Sequence, residues 1–334
     1  MTDPRFLLVR LGSLGDIIHA LPSASALRDT FPGSRIDWLV DRKWLRLLEG
    51  NPDISNIISL NRKNAGELVA TVRNLRNAKY DCAIDFQALY KSAILSFASG
   101  APRRIGFQSS YAREGLAALF YTDRLNPRGP HKIDHNLTLA EHAGAQKSKL
   151  RFPLKIEAQD EDQVSAVLQK DGVGDFFVLS PGGGWRSKCW PPGRYGELHQ
   201  KLVERFGWSG VVNFGPGEDD IAREVVQVAG KSPPSALSLG LGPLMALLRR
   251  AKFLVSADTG PLHLAAALGV PVVGLFGPTD PSRNGPFSSE DVVVRNPRFS
   301  ETTYSRGVGF APSMLSITVQ QAFDAVLRRV ERTS

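Results

Sequence analysis

The sequence predicts an α/β protein with two doubly wound parallel sheets, one in each half of the chain. Short buried apolar runs alternate with segments of helical periodicity, as in parallel sheets whose strands are joined by helices. A polar, acidic stretch within residues 150–174 interrupts the alternation, which then begins again. The 334 residues also exceed what one hydrophobic core normally serves. We therefore predict domains over 1–155 and 156–318, followed by a helix over 319–334 that could pack back on the first domain.

In the first half, apolar runs of strand length predict strands over 5–10, 35–40, 54–60, 80–86 and 103–107. Helical periodicity predicts helices over 16–30, 42–48, 65–78, 90–98, 113–120 and 134–143. Pro22 lies inside the first of these helices. Because proline removes a backbone donor and clashes with the preceding turn, we expect it to kink or restart that helix.

The second half repeats this organisation, with strands predicted over 176–180, 210–214, 253–256 and 271–276. Helices are predicted over 194–206, 219–229, 243–250 and from Pro261 onward. Each half therefore has the pattern of a Rossmann-like domain. Such sheets bind ligands beyond the carboxyl ends of their strands, so a cleft between the two domains is the expected site.

The positive charge is concentrated in the first half of the chain. Residues 1–155 carry 23 Lys and Arg against 14 Asp and Glu, a net charge of +9, whereas residues 156–334 carry 18 against 19, a net charge of −1. This asymmetry indicates that the first half meets something anionic: nucleic acid, a membrane surface or a phosphorylated acceptor. Plain solubility is the alternative interpretation.

Cysteine content and hydropathy bear on where the protein works. Cys82 and Cys189 form no disulfide framework, which fits a reducing compartment. The first residues have too short an apolar core for a signal peptide, and no apolar run approaches the roughly 20 residues of a membrane span. We therefore expect a cytoplasmic protein.

The turn after the predicted strand 253–256 is the clearest candidate ligand site. Asp258, Thr259 and Gly260 precede a helix that opens with Pro261. The first amides of a helix lack intrahelical partners and carry positive potential, so a phosphate is a typical occupant. His263, one turn further in, could reach the same ligand. Simple helix capping by the turn residues is the alternative.

A second glycine turn follows the first strand and includes Gly12, Gly15 and Asp16. It matches neither the G-x-G-x-x-G dinucleotide pattern nor a P-loop, which argues against a nicotinamide enzyme and a Walker NTPase. Asp16 could accept a proton from an incoming hydroxyl or could act as a helix cap. The helix dipole lowers its pKa, which makes it a weak base in isolation. His19 could orient it or lie at the surface.

Two further loops follow strands of the second half. Residues 182–184 are glycines whose amides could meet an anion, and Arg186 and Lys188 add charge that could stabilise a leaving phosphate. A flexible surface loop is the alternative. Glu218 could hold a ribose hydroxyl or interact with a helix dipole. The histidines and acids show no spacing typical of a metal site.

Six segments in order resemble the heptosyltransferases of glycosyltransferase family 9. They are LGSLGDIIHALP (11–22), DFQALYKSA (85–93), REGLAALFY (113–121), SKCWP (187–191), DTGPLHLAAALGVP (258–271) and FGPTDP (276–281). The resemblance implies a GT-B fold and an inverting, metal-independent transfer without a cofactor. The implied donor is ADP-heptose and the implied acceptor is a Kdo hydroxyl of Kdo-lipid A at the cytoplasmic face of the inner membrane, with no role for nucleic acid.

The resemblance also implies roles for individual residues. Asp16 matches the family's base and Lys188 its phosphate-binding lysine. The implied donor-binding residues are Gly183, Gly184, Glu218, Asp258, Thr259, Gly260 and His263. The implied acceptor-binding residues are Ser13, Gly15, Arg62, Lys63, Arg113 and His135. Gly183 and Gly184 stand where similar family members have two threonines, so backbone amides would replace side-chain contacts to the diphosphate.

Two other classes fit two Rossmann-like halves. One is an epimerase or phosphorylase acting on a nucleotide sugar or a sugar phosphate. The other is a nucleotide-sugar-binding protein without chemistry. An epimerase would convert its donor with no acceptor present, and a binding protein would never turn it over. Heptosyltransferase II, or another family 9 sugar transferase, also fits these residues.

Overall fold

The computed structural model describes residues 3–61, 64–299, 302 and 309–332. Contacts divide the chain into two compact units, residues 1–155 and residues 156–334. Within the described ranges, no helix is long and apolar enough to cross a membrane.

The first unit contains one six-stranded, fully parallel sheet. Its strands are β1 (Arg5–Val9), β2 (Arg35–Asp41), β3 (Asn56–Leu60), β4 (Cys82–Asp85), β5 (Arg103–Phe107) and β6 (Asp123–Leu125). The strand order is β3-β2-β1-β4-β5-β6, the Rossmann order. The order reverses between β1 and β4, so the loops that follow these two strands border the crevice where ligands of such sheets bind.

Helices cover both faces of this sheet, which is why its central strands are continuous apolar runs. They are α1 (Leu14–Ile18), α2 (Leu21–Thr30), α3 (Leu45–Leu48), α4 (Ala65–Asn77), α5 (Tyr90–Ala98) and α6 (Lys132–His142). Two 3₁₀ segments span Arg42–Trp44 and Gly115–Phe120. One buried cluster includes Leu7 and Val9 of β1 and Leu39 of β2.

The second unit has the same topology. Its strands are β7 (Phe176–Ser180), β8 (Ser209–Asn213), β9 (Ser235–Leu237), β10 (Leu254–Ala257), β11 (Val272–Leu275) and β12 (Val292–Val294). The order is β12-β11-β10-β7-β8-β9, with every pair parallel. The reversal lies between β7 and β10, so the loops after these strands border the second crevice.

The helices of the second unit enclose its sheet and its core. They are α7 (Ala158–Lys170), α8 (Pro192–Phe206), α9 (Asp219–Ala229), α10 (Leu241–Arg250), α11 (Gly260–Ala267), α12 (Pro281–Asn284), α13 (Pro312–Leu315) and α14 (Val319–Glu331). A 3₁₀ segment spans Arg186–Lys188. The core is aromatic at one end, where the rings of Phe177 and Phe253 stack with centroids 5.2 Å apart.

Two predicted helices of the first unit take a different form in the structure. The predicted helix 16–30 is two helices, and Pro22 lies in the first turn of the second, so proline restarts the helix as expected. The predicted helix 113–120 is the 3₁₀ segment Gly115–Phe120. Helix α14 packs against α8, β11 and β12 of the second unit, where Ala322 and Val326 are fully buried.

Candidate active site

The turn after β10 holds a buried charge cluster centred on Asp258. The Lys188 ammonium lies 2.7 Å from Asp258 Oδ2, and His263 Nε2 lies 3.2 Å from Asp258 Oδ1. Burial raises the pKa of the Asp258 carboxyl, but the hydrogen bond from His263 and the charge of Lys188 lower it more. The net pKa lies well below the ordinary value. Asp258 is therefore a carboxylate at neutral pH and holds its two basic neighbours in place.

Helix α11 begins inside this cluster. Thr259 is its N-cap residue and has extended backbone angles, and Pro261 lies in the first turn. The Thr259 side chain makes no capping hydrogen bond; its Oγ1 lies 3.0 Å from Ser256 Oγ instead. Capping by Thr259 therefore does not account for this turn. The first amides of α11, at Gly260 and beyond, add positive potential beside Lys188.

The glycine loop after β7 is tied to the loop after β8 by a single carboxylate. Glu218 accepts hydrogen bonds from the amides of Gly183, at 2.8 Å, and Gly215, at 2.7 Å. Glu218 thus bridges two loops, a function that its position before α9 does not reveal. A side chain at Gly182 would collide with the Glu218 carboxylate, so a larger residue there would displace that carboxylate from the two amides that it bonds.

The two neighbouring glycines have different surroundings. A Cβ at Gly183 would lie 2.7 Å from the Thr259 methyl carbon, whereas a Cβ at Gly184 would meet nothing within 4 Å. Gly183 therefore lets the loop after β7 approach the first turn of α11 closely. Gly184 leaves open space at the same place.

Aromatic packing positions Lys188. Its ammonium lies 4.7 Å from the centre of the Trp185 ring. Trp190 is fully buried, packs edge-on against Tyr195 of α8 at 5.0 Å, and donates a hydrogen bond of 2.9 Å to the Ile317 carbonyl. The loop over 180–192 is thus anchored at its far end and is not a free surface loop.

In the first unit, Asp16 lies in the first turn of α1, after β1. Its Oδ2 is 2.6 Å from Arg10 Nη2 and accepts hydrogen bonds from the Ser13 amide, at 3.2 Å, and the Ser13 hydroxyl, at 3.0 Å. The side chain remains 35% exposed, so an incoming group can reach it. The Asp16 carboxylate is therefore bonded to Ser13 at the start of α1 and remains accessible.

Positive neighbours set the charge of Asp16. Burial raises the pKa of its carboxyl, but the charges of Arg10 and Lys132 outweigh burial and hold that pKa well below the ordinary value. His19 acts in the same direction. His19 is buried rather than at the surface, and its ring packs edge-on against His131 at 5.2 Å. Asp16 is thus ionised at neutral pH and is a weak base.

Arg10 is a site residue that the sequence did not reveal. It ends β1's apolar run immediately before the glycine turn, pairs with Asp16, and donates a hydrogen bond to the Phe86 carbonyl after β4. Gln87 Oε1 accepts from the Leu11 amide at 2.7 Å and joins the same two loops. The sequence signal that points to Arg10 is a basic residue at the end of a buried strand.

The predicted acceptor-binding residues are distributed along the first unit. Gly15 is buried in α1, Arg113 is exposed before the 3₁₀ segment Gly115–Phe120, and His135 Nε2 lies 3.1 Å from the Gly129 carbonyl. Arg62 and Lys63 lie outside the described residues. Across the described ranges, no three His, Cys, Asp or Glu side chains gather as a metal site requires.

Comparison with known proteins decides the family. The glycosyltransferase family 9 (heptosyltransferase) profile matches residues 68–307, well over half of the chain. The chain belongs to glycosyltransferase family 9. The lipopolysaccharide heptosyltransferase 1 of Pseudomonas aeruginosa is 32% identical over 302 residues, which cover 86% of this chain and 82% of that protein.

Solved structures show that this family 9 chain has the GT-B fold. The family 9 glycosyltransferase of Veillonella parvula superposes with a TM-score of 0.83 at 22% identity and covers 98% of this chain and 97% of its own. The Escherichia coli heptosyltransferase WaaC, solved with ADP-2-deoxy-2-fluoro heptose, superposes with a TM-score of 0.74 at 25% identity and covers 99% and 100%. The chain is a glycosyltransferase.

Proposed function

We propose that this protein transfers heptose from ADP-L-glycero-D-manno-heptose to a Kdo hydroxyl of Kdo-lipid A during synthesis of the lipopolysaccharide inner core. Family membership and the name of the Pseudomonas relative support heptose transfer. The heptose analogue in the E. coli neighbour supports an ADP-linked donor. The observation that carries the proposal is the cluster of Lys188 and His263 around Asp258 at the start of α11.

The second unit supplies the donor site in this proposal. The donor's diphosphate would lie beside Lys188 and the first amides of α11, where fixed positive charge stabilises a departing nucleoside diphosphate. Asp258 keeps the Lys188 ammonium at this position through their 2.7 Å ion pair. Because Gly183 donates its amide to Glu218, its main contribution is to let the loop approach Thr259 closely.

The first unit supplies the base. The acceptor hydroxyl oxygen attacks the anomeric carbon as the bond from that carbon to the diphosphate oxygen breaks, and the hydroxyl proton passes to the Asp16 carboxylate. Attack opposite the leaving group inverts the anomeric configuration. A weak base suffices because the hydroxyl becomes acidic as its oxygen bonds to carbon. The charge that a metal would provide for the leaving group comes in this proposal from Lys188 and the helix N-terminus.

Work at the cytoplasmic face of the inner membrane follows from the proposed acceptor, which is a lipid. The basic first half, with a net charge of +9 over residues 1–155, supports contact with an anionic lipid acceptor. Arg113, exposed in that half, is one residue proposed to meet it.

The test is acceptor-dependent release of ADP. Purified protein is mixed with ADP-heptose, with and without Kdo₂-lipid A, and free ADP is measured. We expect release only when both substrates are present. Conversion of the donor without acceptor would support an epimerase instead. Donor binding with no release under either condition would support a binding protein, and release only with an already heptosylated acceptor would support a different heptosyltransferase.

A further inference from the structure

A cluster of apolar side chains is exposed on the first unit. On α5, positions 90, 94 and 97 fall on one helix face, and Leu116 and Leu119 stand on the adjacent 3₁₀ segment Gly115–Phe120. Their exposed fractions range from 38% to 67%, and they belong to Tyr90, Ile94, Phe97, Leu116 and Leu119. We call these five residues the apolar patch. Contiguous exposed apolar surface of this kind marks an interaction site.

The packing beneath the patch is well defined. Ala93 of α5 and Ala117 and Ala118 of the 3₁₀ segment form a buried cluster, because small side chains let the two segments approach closely. The rings of Phe97 and Phe120 pack edge-on at 5.9 Å. The small residues and ring contact fix the two segments to each other, so the patch side chains are held outward by the fold.

The glutamate that precedes the 3₁₀ segment fixes the start of α5. Glu114 Oε2 accepts a 2.6 Å hydrogen bond from the Tyr90 amide, and its own amide donates to the Ala88 carbonyl. The carboxylate therefore offsets the unsatisfied first amides of α5. One of the few acidic groups near the patch is thus used internally.

The surroundings of the patch are basic. Residues 88–125 carry five Lys and Arg against two acids, a net charge of +3. Arg104 lies 5.3 Å over the Phe97 ring, and Arg113 and Arg124 are exposed. The second acid, Asp123, accepts hydrogen bonds from Thr122 and pairs with His142. The net charge around the patch is therefore positive.

A cavity opens beside the patch. It has a volume of about 630 Å³ and is lined by the apolar patch residues Tyr90, Leu116 and Leu119 together with polar groups that include Gln108 and Arg124. Apolar walls with an arginine at the edge match the boundary between acyl chains and anionic headgroups. The cavity and the patch thus have the same chemical character.

We propose that the apolar patch and its arginine rim dock this protein on the surface of an anionic lipid bilayer. The five apolar side chains enter the interface, and the exposed Arg113 and Arg124 meet the headgroups. Apolar burial and attraction to anionic lipid together give reversible interfacial binding. This docking rests on the proposed function, because a lipid acceptor would require the protein to work at a membrane. Arg113 is also one of the residues proposed to bind the acceptor.

A second copy of the chain fits this surface less well. A two-fold contact would place the same patch on both sides and bring two surfaces of net positive charge together, which opposes association. An anionic bilayer offers both the missing apolar contact and the opposite charge. Charge complementarity thus favours lipid over self-association.

The test is co-sedimentation of the full chain with vesicles that contain no Kdo-lipid, so that docking is measured without turnover. Phosphatidylcholine vesicles are compared with vesicles that also contain phosphatidylglycerol. We expect the wild type to bind the anionic vesicles, with weaker binding at high salt. The double variant Leu116→Gln/Leu119→Gln should bind about tenfold more weakly or worse, because two half-exposed leucines lose their transfer into the interface.

Matched variants make the result specific. Leu315→Gln changes a leucine that is 43% exposed in the second unit and should bind like the wild type. Ile94→Gln on α5 provides a second patch variant if the double variant fails to fold, and Arg124→Gln should reduce binding only to anionic vesicles. Unaltered vesicle binding by the patch variants would overturn the proposal. So would a wild type that binds neither vesicle, or a concentration-dependent dimer that the patch variants abolish.

Discussion

Removal of the Lys188 charge should destabilise the second unit and impair donor chemistry. The variant Lys188→Met keeps the length of the side chain but leaves Asp258, only 4% exposed, with His263 as its remaining partner in the cluster. At 2.7 Å and an effective dielectric of about 20, the gross attraction between Lys188 and Asp258 is ~6 kcal/mol. Part of it offsets the cost of burying both charges, and breaking one side of such a pair costs about 3–5 kcal/mol.

Two measurements separate the structural role of Lys188 from its role in transfer. Urea unfolding should show a loss of about 3 kcal/mol for Lys188→Met, and the double variant Lys188→Met/Asp258→Asn should recover most of it because the unpaired carboxylate is gone. ADP release should stay low in both variants, since the charge at the diphosphate is missing in both. Recovery of turnover in the double variant would contradict a role for Lys188 in transfer, because Lys188 would then serve only as a counter-charge to Asp258.

Further predictions concern the base, the core and the glycine loop. Asp16→Asn should lower turnover by about 10²–10⁴ while donor affinity in a binding titration stays unchanged; residual activity above a tenth of wild type would exclude Asp16 as the base. Burial lowers the pKa of His199 to about 4, below the 6.5 of an unfolded histidine. Protonation therefore favours unfolding, so up to ~3 kcal/mol of stability present above pH 6.5 should be lost as the pH falls toward 4. The free energy of unfolding of His199→Leu should therefore change less with pH across this range than that of the wild type. An equal pH dependence would contradict the lowered pKa of His199. Gly183→Thr should lower the unfolding free energy by about 1–3 kcal/mol because its Cβ meets Thr259, whereas Gly184→Thr should melt like the wild type; equal effects would contradict the difference in space around the two glycines.

The fold was largely predictable because its central strands are buried on both faces. β1 and β7 are almost entirely buried and read as unbroken apolar runs. The edge strands β6, β9 and β12 have three residues each and were not predicted, whereas the five-residue edge strand β3 was predicted. An edge strand is defined by its hydrogen bonds to a neighbour rather than by its own apolar pattern, so a segment such as Asp123–Leu125 gives little local signal.

The residues of the candidate site could be singled out by type from the sequence, whereas their pairings could not. Asp258, Lys188 and His263 follow strands or open helices, which indicates that they belong to a ligand site. The ion pair between Lys188 and Asp258 joins positions 70 residues apart and depends on β7 and β10 being neighbours in the sheet. The same holds for Glu218, whose hydrogen bond to Gly183 spans 35 residues. Pairings of this kind follow from strand order, which local spacing does not specify.

The most direct test of the proposed reaction is the mass and anomeric configuration of the acceptor after incubation with ADP-heptose. We expect Kdo₂-lipid A to gain one heptose, joined with a configuration opposite to that of the donor. The Asp16→Asn variant should form almost none of this product. An unchanged acceptor mass would contradict heptose transfer to this acceptor, and a product with the donor's own configuration would contradict direct displacement assisted by Asp16.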